Sequence, residues 1–323
     1  MAVSMDLPAA EFVAERKARR AVIEDRVFYS LTLASAVLVV VLLLAVMVSL
    51  FVGAWPALSK FGLAFVWTER WSPVKEIFGA LAPIYGTVVT SVIAMAIGIP
   101  VSFGIAIFLT EICPPSLRRP IGIAIELLAG IPSIIYGLWG FFFLAPFLQT
   151  TIQPFLIQTL GNLPIIGIAF GGPPYGIGLL TAGIVLAIMV LPFITSITRD
   201  VFVTVPPMLR ESAYGLGMTT WEVVRHIVIP FSRVGLVGGI MLGLGRALGE
   251  TMAVTFVIGN SHNISASLLS PATTISASIA NEFTEATGAL YTSSLIALGL
   301  ILFVITFAVL ALAKWLLIRT NIK

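Results

Sequence analysis

The feature that most constrains this chain is a set of six apolar runs, each long enough to cross a membrane as a helix. About 30 Å of hydrocarbon needs roughly 20 helical residues. With 59% hydrophobic and 10% charged residues, the chain carries more apolar side chains than a water-soluble core of this size can hide. We therefore predict an all-α integral membrane protein. Its six transmembrane helices are expected at residues 27–53, 83–111, 121–148, 175–198, 232–259 and 292–318.

The residues before the first run, 1–26, are expected to form a cytoplasmic tail. The run itself is too long and uninterrupted for a cleavable signal peptide, and no small-residue cleavage site follows it, so we expect it to remain as an anchor. The tail mixes acidic and basic residues. It is compatible with an amphipathic surface helix or with a solvated tail that orients the first span. Residues 27–323 are expected to form one transmembrane domain.

Basic residues beside the predicted spans indicate orientation, because cytoplasmic loops carry an excess of Lys and Arg. One side of the membrane receives Arg16, Lys17, Arg19, Arg20, Arg26, Arg118, Arg119, Arg199, Arg210, Arg225, Arg233, Lys314, Arg319 and Lys323. The other side receives Lys60, Arg70 and Lys75. This asymmetry predicts that both termini and the polar segment 199–231 face the cytoplasm. The net charge of +3 then reports orientation rather than binding to nucleic acid.

Several enzyme classes lack their usual sequence signs here. Cys113 is the only cysteine, so no disulfide can form within the chain, and two distant histidines offer no zinc cluster. No Gly precedes a Lys, so there is no P-loop for ATP phosphates, and neither H-E-x-x-H nor G-x-S-x-G occurs. We expect no metal, no cofactor and no enzymatic activity. The chain is predicted to be a conduit whose energy comes from a separate subunit.

The polar segment 199–231, between the fourth and fifth runs, is predicted to fold as a helix, a turn and a helix. Two adjacent prolines, Pro206 and Pro207, interrupt the preceding chain, and a short helix can follow. Two glycines then permit a sharp turn, and Thr219 or Thr220 can cap a second helix. The resulting helix-turn-helix unit would project from the spans and carry both apolar and charged faces.

The same segment carries a spaced set of residues, namely Glu211, Ser212, Ala213, Gly217, Ile227 and Pro230. It resembles the EAA signature of ABC-importer permeases, which reads Glu-Ala-Ala, three residues, Gly, nine residues, Ile-x-Leu-Pro. Ser212 replaces an alanine of that signature and Ile229 replaces the leucine. In that family the loop is a short helix that docks into a cleft on the ATP-hydrolysing subunit. The resemblance therefore implies an ATPase partner; an ordinary connector between spans is the alternative.

Small and charged residues share one face of the predicted fifth span. Gly235, Gly239 and Gly243 recur every four residues, and at about 100° per residue they fall within an arc of roughly 80°. Such residues let another helix approach closely. Arg246 and Glu250 continue that arc, at a spacing that permits an ion pair. Charges in hydrocarbon cost about 2.5–3.5 kcal/mol each, so the two indicate either a structural pair or a role in conduction.

The third predicted span contains a second polar set, Glu126, Ser133 and Tyr136, around Pro132. Proline removes an N–H and clashes with the preceding turn, which leaves carbonyl and hydroxyl groups free to line a gate. A kink that serves packing is the alternative.

Three further expectations concern the loops. Glu111, at the cytosolic end of the second span, is expected to be solvated. Asp200, beside Arg199, is expected to be solvated as well. Residues 149–174 are rich in Pro and Gly, which predicts an ordered outer loop rather than regular helix.

Three sequence segments restrict the resemblance to one type of ABC-importer permease. They are residues 245–254 (GRALGETMAV) followed by Gly259 and Asn260, residues 126–137 (ELLAGIPSIIYG), and residues 281–283 (NEF). They resemble the PstC-type permeases of phosphate-specific transport systems, and the likeness extends over most of the chain from about residue 27. It implies the all-helical fold of a type I ABC importer permease, in the bacterial inner membrane.

The resemblance also implies a function and partners. The function would be one half of the membrane pathway for ATP-driven phosphate import. The partners would be a second, related permease, two copies of an ATP-binding cassette subunit, and a periplasmic phosphate-binding protein that delivers the ligand. Two alternatives stay open: import of another oxyanion, such as sulfate or molybdate, and, less favoured, an ion-coupled secondary anion carrier.

Phosphate import would give Arg246 a chemical purpose. A guanidinium is permanently charged and matches oxyanion oxygens in a bidentate fork. Glu250 would repel a phosphate anion unless it is paired or protonated. Our hypothesis from the sequence is that Glu250 holds Arg246 in one state, and that opening of the pathway frees Arg246 to compensate the passing anion.

Overall fold

Helices account for the regular secondary structure of the protein. The computed structural model describes residues 7–164 and 166–321. Within those residues, β pairing is limited to two isolated bridges, Ser72 with Ile77 and Gly259 with Ala272. The all-α class predicted from the sequence is confirmed.

Six helices in the described ranges are long and apolar enough to cross a membrane, as predicted. We call them the first to sixth spans. They are Ala21–Phe61, Leu81–Ile112, Ser133–Leu160, Leu179–Val203, Thr220–Gly249 and Ala289–Trp315.

The individual helices follow closely on one another, and several spans change helix type along their length. In chain order the bounds are Leu7–Phe61, Ala64–Trp67, Pro73–Lys75, Leu81–Ile107, Phe108–Ile112, Pro115–Ala129, Ser133–Trp139, Gly140–Leu144, Ala145–Phe147, Leu148–Ile152, Gln153–Leu160, Ile166–Phe170, Leu179–Val203, Pro207–Gly215, Thr220–Val223, Val224–Val228, Ile229–Gly249, Met252–Val257, Ile275–Glu282 and Ala289–Asn321. The π-helical pieces are Phe108–Ile112, Gly140–Leu144, Leu148–Ile152 and Val224–Val228.

The chain divides into two compact units, residues 1–52 and residues 53–323. In the first unit, the helix exposes every side chain from Ala21 to Ser49. Those side chains are predominantly apolar from Val27 onward, and a helix that is apolar all round belongs in a hydrocarbon environment.

The core of the second unit lies around the fourth span, Leu179–Val203. Leu186, Val190 and Ile194 in this helix are fully buried. The second and fifth spans both pack against it. The largest buried cluster centres on the fourth span and includes apolar residues of the second and fifth spans, of the helix Met252–Val257 and of the segment that follows it.

Two prolines of the third span follow π-helical turns. Pro146 comes directly after the turn Gly140–Leu144 and Ala145, and Pro154 comes after the turn Leu148–Ile152 and Gln153. Each proline therefore lies in the first turn of the next helical piece, where a missing N–H costs little. This explains why the prediction of an outer loop over residues 149–174 was wrong: helix continues to Leu160, and a further helix covers Ile166–Phe170.

Two predicted spans are displaced by ten residues or more at each end, whereas the bounds of the other four agree within eight residues. The third was expected to begin at residue 121, but the helix Pro115–Ala129 ends before Pro132 and the span begins at Ser133. The fifth was expected at 232–259, but its helix begins at Thr220 and ends at Gly249. Apolar residues continue through both helix ends, so hydropathy alone does not reveal them.

Candidate functional site

The polar segment folds as a helix, a turn and a helix. The first helix, Pro207–Gly215, begins with a proline in its first turn, and we call it the loop helix. The chain then turns at Gly217, whose φ of +84° favours glycine. Thr219 caps the second helix: its hydroxyl accepts the Glu222 N–H, and the Glu222 carboxylate accepts the Thr219 N–H, which is a capping box.

The loop helix buries one apolar side chain and exposes its one acidic residue. Ala213 is 3% exposed, whereas Glu211 and Ser212 are exposed to solvent. Ala213 belongs to a small apolar cluster at this end of the spans, together with Ala106, Phe202, Val205, Val223, Val228 and Leu236. The cluster fixes the loop helix against the ends of the second, fourth and fifth spans and leaves the Glu211 side free.

Large apolar side chains project from this polar segment. Met208 is 75% exposed, Leu216 is 85% exposed and Trp221 is 62% exposed. Exposed apolar side chains grouped beside charged ones are typical of a surface that binds another protein. Ile227 is half-buried and Pro230 exposed, at the start of the helix Ile229–Gly249.

Glu111 is buried, which contradicts the expectation that it would be solvated. Its side chain is 4% exposed, and its Oε1 lies 3.2 Å from Nη2 of Arg210 in the loop helix. The contact is an ion pair without the alignment of a good hydrogen bond. The same Nη2 donates a 2.6 Å hydrogen bond to the carbonyl of Phe202. The sequence analysis did not predict this pair. The one feature that could have indicated it is the carboxylate of Glu111 at the end of an apolar run.

Arg246 lies in the last turn of the helix Ile229–Gly249 and is exposed on the surface of this chain. Its guanidinium carbon is 6.0 Å from the centroid of the Phe193 ring, a distance at which a cation and an aromatic face attract each other. It also lies near enough to the Tyr136 hydroxyl to interact with it electrostatically. The structure thus brings together two of the residues predicted for the pathway.

Glu250 does not pair with Arg246, contrary to the expectation of a shared helix face. The backbone leaves the helix at Glu250, where ψ is 130°. The Glu250 carboxylate instead accepts a 3.3 Å hydrogen bond from the Ala253 N–H, at the start of the helix Met252–Val257. A carboxylate at a helix N-terminus is stabilised there by the helix dipole. Among the described residues, no carboxylate forms an ion pair with the Arg246 guanidinium.

The predicted break at Pro132 is present. The helix Pro115–Ala129 ends there, and the Tyr136 hydroxyl donates a 2.9 Å hydrogen bond across the break to the carbonyl of Leu128. Ser133 is the first residue of the following helix and is half-buried.

Glu126 lies elsewhere. Its Oε1 is 2.7 Å from Nη2 of Arg199, which also pairs with Asp200 at 2.8 Å. The Asp200 side chain is 63% exposed, in agreement with the expectation that it would be solvated. The structure therefore places Glu126 in an ion-pair group at one end of the fourth span and shows no contact between Glu126 and Arg246.

The three glycines of the fifth span face the fourth span closely. A Cβ at each would lie under 3 Å from a side chain of the fourth span, at 2.6 Å for Gly235 and Val201, 2.9 Å for Gly239 and Ile197, and 2.7 Å for Gly243 and Ile194. These distances are shorter than a carbon–carbon contact allows. The two helices can approach this closely because the glycines have no side chain.

A polar cluster that joins two loops, the helix Ile275–Glu282 and the start of the sixth span was not predicted. The Glu282 carboxylate accepts hydrogen bonds from Trp71 Nε1 at 2.7 Å, from the Tyr291 hydroxyl at 2.6 Å and, at 2.8 Å, meets His262 Nε2. The Trp71 and His262 rings stack 5.1 Å apart. We call these four residues the Glu282 cluster. Burial raises the pKa of Glu282, but the hydrogen bonds from His262, Tyr291 and Trp71 outweigh it and hold the pKa below its usual range.

Residues 98–321 match the family described as "Binding-protein-dependent transport system inner membrane component". The chain is 64% identical over 322 residues to the "Phosphate transport system permease protein PstC" of Mesorhizobium japonicum, which covers 100% of this chain and 98% of the relative. The chain belongs to the PstC family of binding-protein-dependent permeases. The PstC protein of Pasteurella multocida is 58% identical over 89% of this chain and 90% of its own length. A probable PstC protein of Methanocaldococcus jannaschii is 38% identical over 87% and 90%.

Solved structures share the fold of this PstC-family chain. A bacterial ABC transporter involved in the import of the acidic polysaccharide alginate superposes with a TM-score of 0.60 and 16% identity, over 94% of this chain and 99% of that chain. The MetNI methionine ABC transporter, in an inward-facing conformation, superposes with a TM-score of 0.51 and 17% identity, over 76% and 98%. At these identities the likeness shows the fold, which is that of ABC importer permeases.

Family membership also fixes the compartment in coarse terms. PstC-family permeases are inner membrane components, and the six spans described above agree with that. Within the described part of the chain, no group of three or more His, Cys, Asp or Glu side chains could hold a metal ion.

Proposed function

We propose that this chain is the permease subunit that forms half of a membrane pathway for ATP-driven import of inorganic phosphate. The observation that carries the proposal is the presence, in one PstC-family chain, of an exposed loop helix and of an unpaired Arg246 on an exposed face of the fifth span. The loop helix offers a site for an energy source, and Arg246 offers a charge for an anion.

The loop helix is the proposed docking element for an ATP-binding cassette subunit, of which the complete transporter has two copies. Glu211 and Ser212 are exposed, as are the nearby Met208 and Leu216, whereas Ala213 is buried against the ends of the spans. The excess of basic residues on the same side supports a cytoplasmic position for this helix and for both termini. A secondary carrier, which has no ATPase subunit, would not need an exposed docking helix of this kind.

The exposed position of Arg246 supports a second, related permease as partner. A guanidinium in a membrane span is costly when it faces lipid, so the face that carries Arg246 needs a polar or protein surface opposite it. Tyr136 and Phe193 lie on the same face. We propose that the second permease covers this face and that the pathway runs between the two subunits. A periplasmic phosphate-binding protein would deliver the ligand to its outer end.

The chemistry proposed for Arg246 is transient compensation of phosphate charge. Its fork of donors can bind two phosphate oxygens at once, and no carboxylate in the described residues competes for it. The hold on Arg246 that we expected from Glu250 would require Glu250 to leave the start of the helix Met252–Val257 in another transport state. Tyr136 and Ser133, beside the helix break, are proposed to line the same pathway.

Copurification tests the partners. The chain is co-expressed with the candidate second permease and ATPase subunit, and each variant is assayed for the amount of ATPase retained on the tagged permease. Glu211→Lys should lower retention strongly, because it reverses the charge on the exposed side of the loop helix. Glu285→Lys, at an exposed position on the loop before the sixth span, is the matched control and should retain the ATPase. Full retention by Glu211→Lys would contradict the docking assignment.

Reconstitution tests the substrate. Proteoliposomes that contain the whole complex and the binding protein should take up labelled phosphate only with ATP inside and only when the ATPase subunit is present. Uptake without the ATPase subunit would favour a secondary carrier. Excess sulfate or molybdate should leave phosphate uptake unchanged, and strong competition by either would redirect the proposal to another oxyanion.

A further inference from the structure

The loop helix is attached to the spans by few contacts. It has nine residues, and Ala213 is its one buried apolar side chain. The other attachment is Arg210, which reaches Glu111 at the end of the second span and the carbonyl of Phe202 near the end of the fourth. A displacement of the loop helix must therefore either carry these groups along or break their contacts.

Burial makes the contact with Glu111 costly to break. The Glu111 side chain is 4% exposed and that of Arg210 is 20% exposed, so both charges have lost much of their hydration. Removing one partner from a buried pair leaves a charge without compensation, which costs far more than the pair contributes. The Arg210 guanidinium also sits at the C-terminal end of the fourth span, where a cation is favoured by the helix dipole.

Glu111 lies in an irregular part of the second span. Glu111 lies in the π-helical turn Phe108–Ile112, which ends the span and closes with a 2.7 Å hydrogen bond from the Cys113 N–H to the Phe108 carbonyl. π-helical turns are interruptions of the regular ladder and occur frequently at functional sites. The Glu111–Arg210 contact therefore joins the loop helix to the irregular turn that ends the second span.

We propose that Glu111 and Arg210 are positioning residues that transmit movement of the loop helix to the second span, and so couple ATP hydrolysis to opening of the pathway. The proposal rests on the proposed function, because it assumes that an ATPase subunit moves the loop helix. The pair touches neither substrate nor nucleotide. Its effect is on the number of phosphate ions imported for each ATP hydrolysed.

The experiment uses the complete reconstituted complex and measures two rates in the same proteoliposomes, phosphate uptake and ATP hydrolysis. Glu111→Gln and Arg210→Gln should each lower the ratio of uptake to hydrolysis by at least about fivefold. Glu76→Gln is the matched control, since it breaks an exposed ion pair, Lys60 with Glu76 at 3.4 Å, and should leave the ratio unchanged.

The double variant Glu111→Gln/Arg210→Gln separates coupling from folding. It leaves no unpaired charge, so assembly and thermal stability should recover relative to either single variant. Under the proposal the ratio of uptake to hydrolysis stays low, because the link is still absent. Recovery of the ratio together with stability would overturn the proposal and assign the pair a purely structural role.

The remaining outcomes are distinguishable. Normal uptake by the wild-type complex with an unchanged ratio in both single variants would overturn this proposal alone. Absence of ATP-driven phosphate uptake in the wild-type complex would overturn the proposed function and this proposal with it. Arg210→Lys provides a rescue arm: it keeps a cation beside Glu111 and should restore at least half of the wild-type ratio.

Discussion

The hydroxyl of Tyr136 donates a 2.9 Å hydrogen bond to the carbonyl of Leu128, across the helix break at Pro132. The break leaves that carbonyl without its usual N–H partner, because Pro132 has none to give. One tyrosine therefore both closes the break and stands beside Arg246. The structural kink and the proposed pathway lining, which the sequence could not separate, therefore involve the same side chain.

Tyr136→Phe should weaken the break without a change in volume. We expect a loss of about 1 kcal/mol in stability, the usual contribution of one hydrogen bond, and a reduction of a few fold in phosphate uptake. Thermal unfolding of the purified complex and uptake by proteoliposomes measure the two effects. Tyr175→Phe, a tyrosine with an exposed side chain outside the spans, is the control. Wild-type uptake by Tyr136→Phe would remove the hydroxyl from the pathway.

Arg246→Gln should reduce phosphate uptake by about ten- to a hundredfold, since a hydrogen bond to a charged group is worth about 1.5–3 kcal/mol and 1.4 kcal/mol is a factor of ten. Arg246→Lys keeps the charge but loses the bidentate fork, so its uptake should fall between those of Arg246→Gln and wild type. Both are measured as initial uptake rates in complexes of verified composition. Arg233→Gln, on the same span, serves as the control for loss of a charge. Equal uptake by Arg246→Gln and wild type would exclude the proposed role.

Gly243→Ala should destabilise the packing of the fourth and fifth spans. Two carbon atoms of Ile194 lie 2.7 Å from the position of the new Cβ, and overpacking of a core costs about 1–3 kcal/mol. Gly238→Ala is the matched control, because nothing lies within 4 Å of its Cβ position. Both substitutions gain the same helix propensity, so the difference between their unfolding midpoints isolates the steric effect. A lower midpoint is expected for Gly243→Ala alone.

Acid should loosen the Glu282 cluster. The pKa of Glu282 is lowered in the folded protein, so its contribution to stability is complete above the ordinary glutamate pKa and is lost as the pH falls through the lowered value. The protection factors for hydrogen exchange of residues 259–283, which correct for the intrinsic effect of pH on exchange, should therefore fall below about pH 4, the ordinary range for glutamate. In Glu282→Gln the same residues should exchange faster already at neutral pH and show no further step in acid. A step that survives in Glu282→Gln would place the titration on another group.

The sequence was sufficient for the class, the six spans and the shape of the loop helix, because each depends on local pattern. Hydropathy marks the spans, and the order of proline, glycine and threonine from Pro206 to Thr219 determines the turn and the cap. The start of the third span and the end of the fifth were misplaced because apolar residues continue across Pro132 and past Glu250. In both cases a change of backbone direction, rather than a change of polarity, ends the helix.

Contacts between residues that are far apart in the chain could not be predicted from the sequence. Glu111 and Arg210 are far apart in the chain, and neither residue reveals the other. Arg246 and Glu250 show the opposite error, in which a helical spacing suggested a pair that the end of the helix at Gly249 prevents. Spacing predicts a contact only where one helix is known to include both residues.

The π-helical turn Val224–Val228 has a consequence for which way the loop faces. A turn closed by i→i+5 bonds holds about one residue more than an α-helical turn, so side chains beyond it are rotated by roughly 100° from where an uninterrupted helix would place them. Trp221 and Glu222 lie before this turn, and the glycines of the fifth span lie after it. The extra residue therefore sets the direction in which the loop helix and the helix Thr220–Val223 face relative to the glycine face of the fifth span. Removal of one residue from the turn would rotate these two surfaces relative to each other without altering either of them.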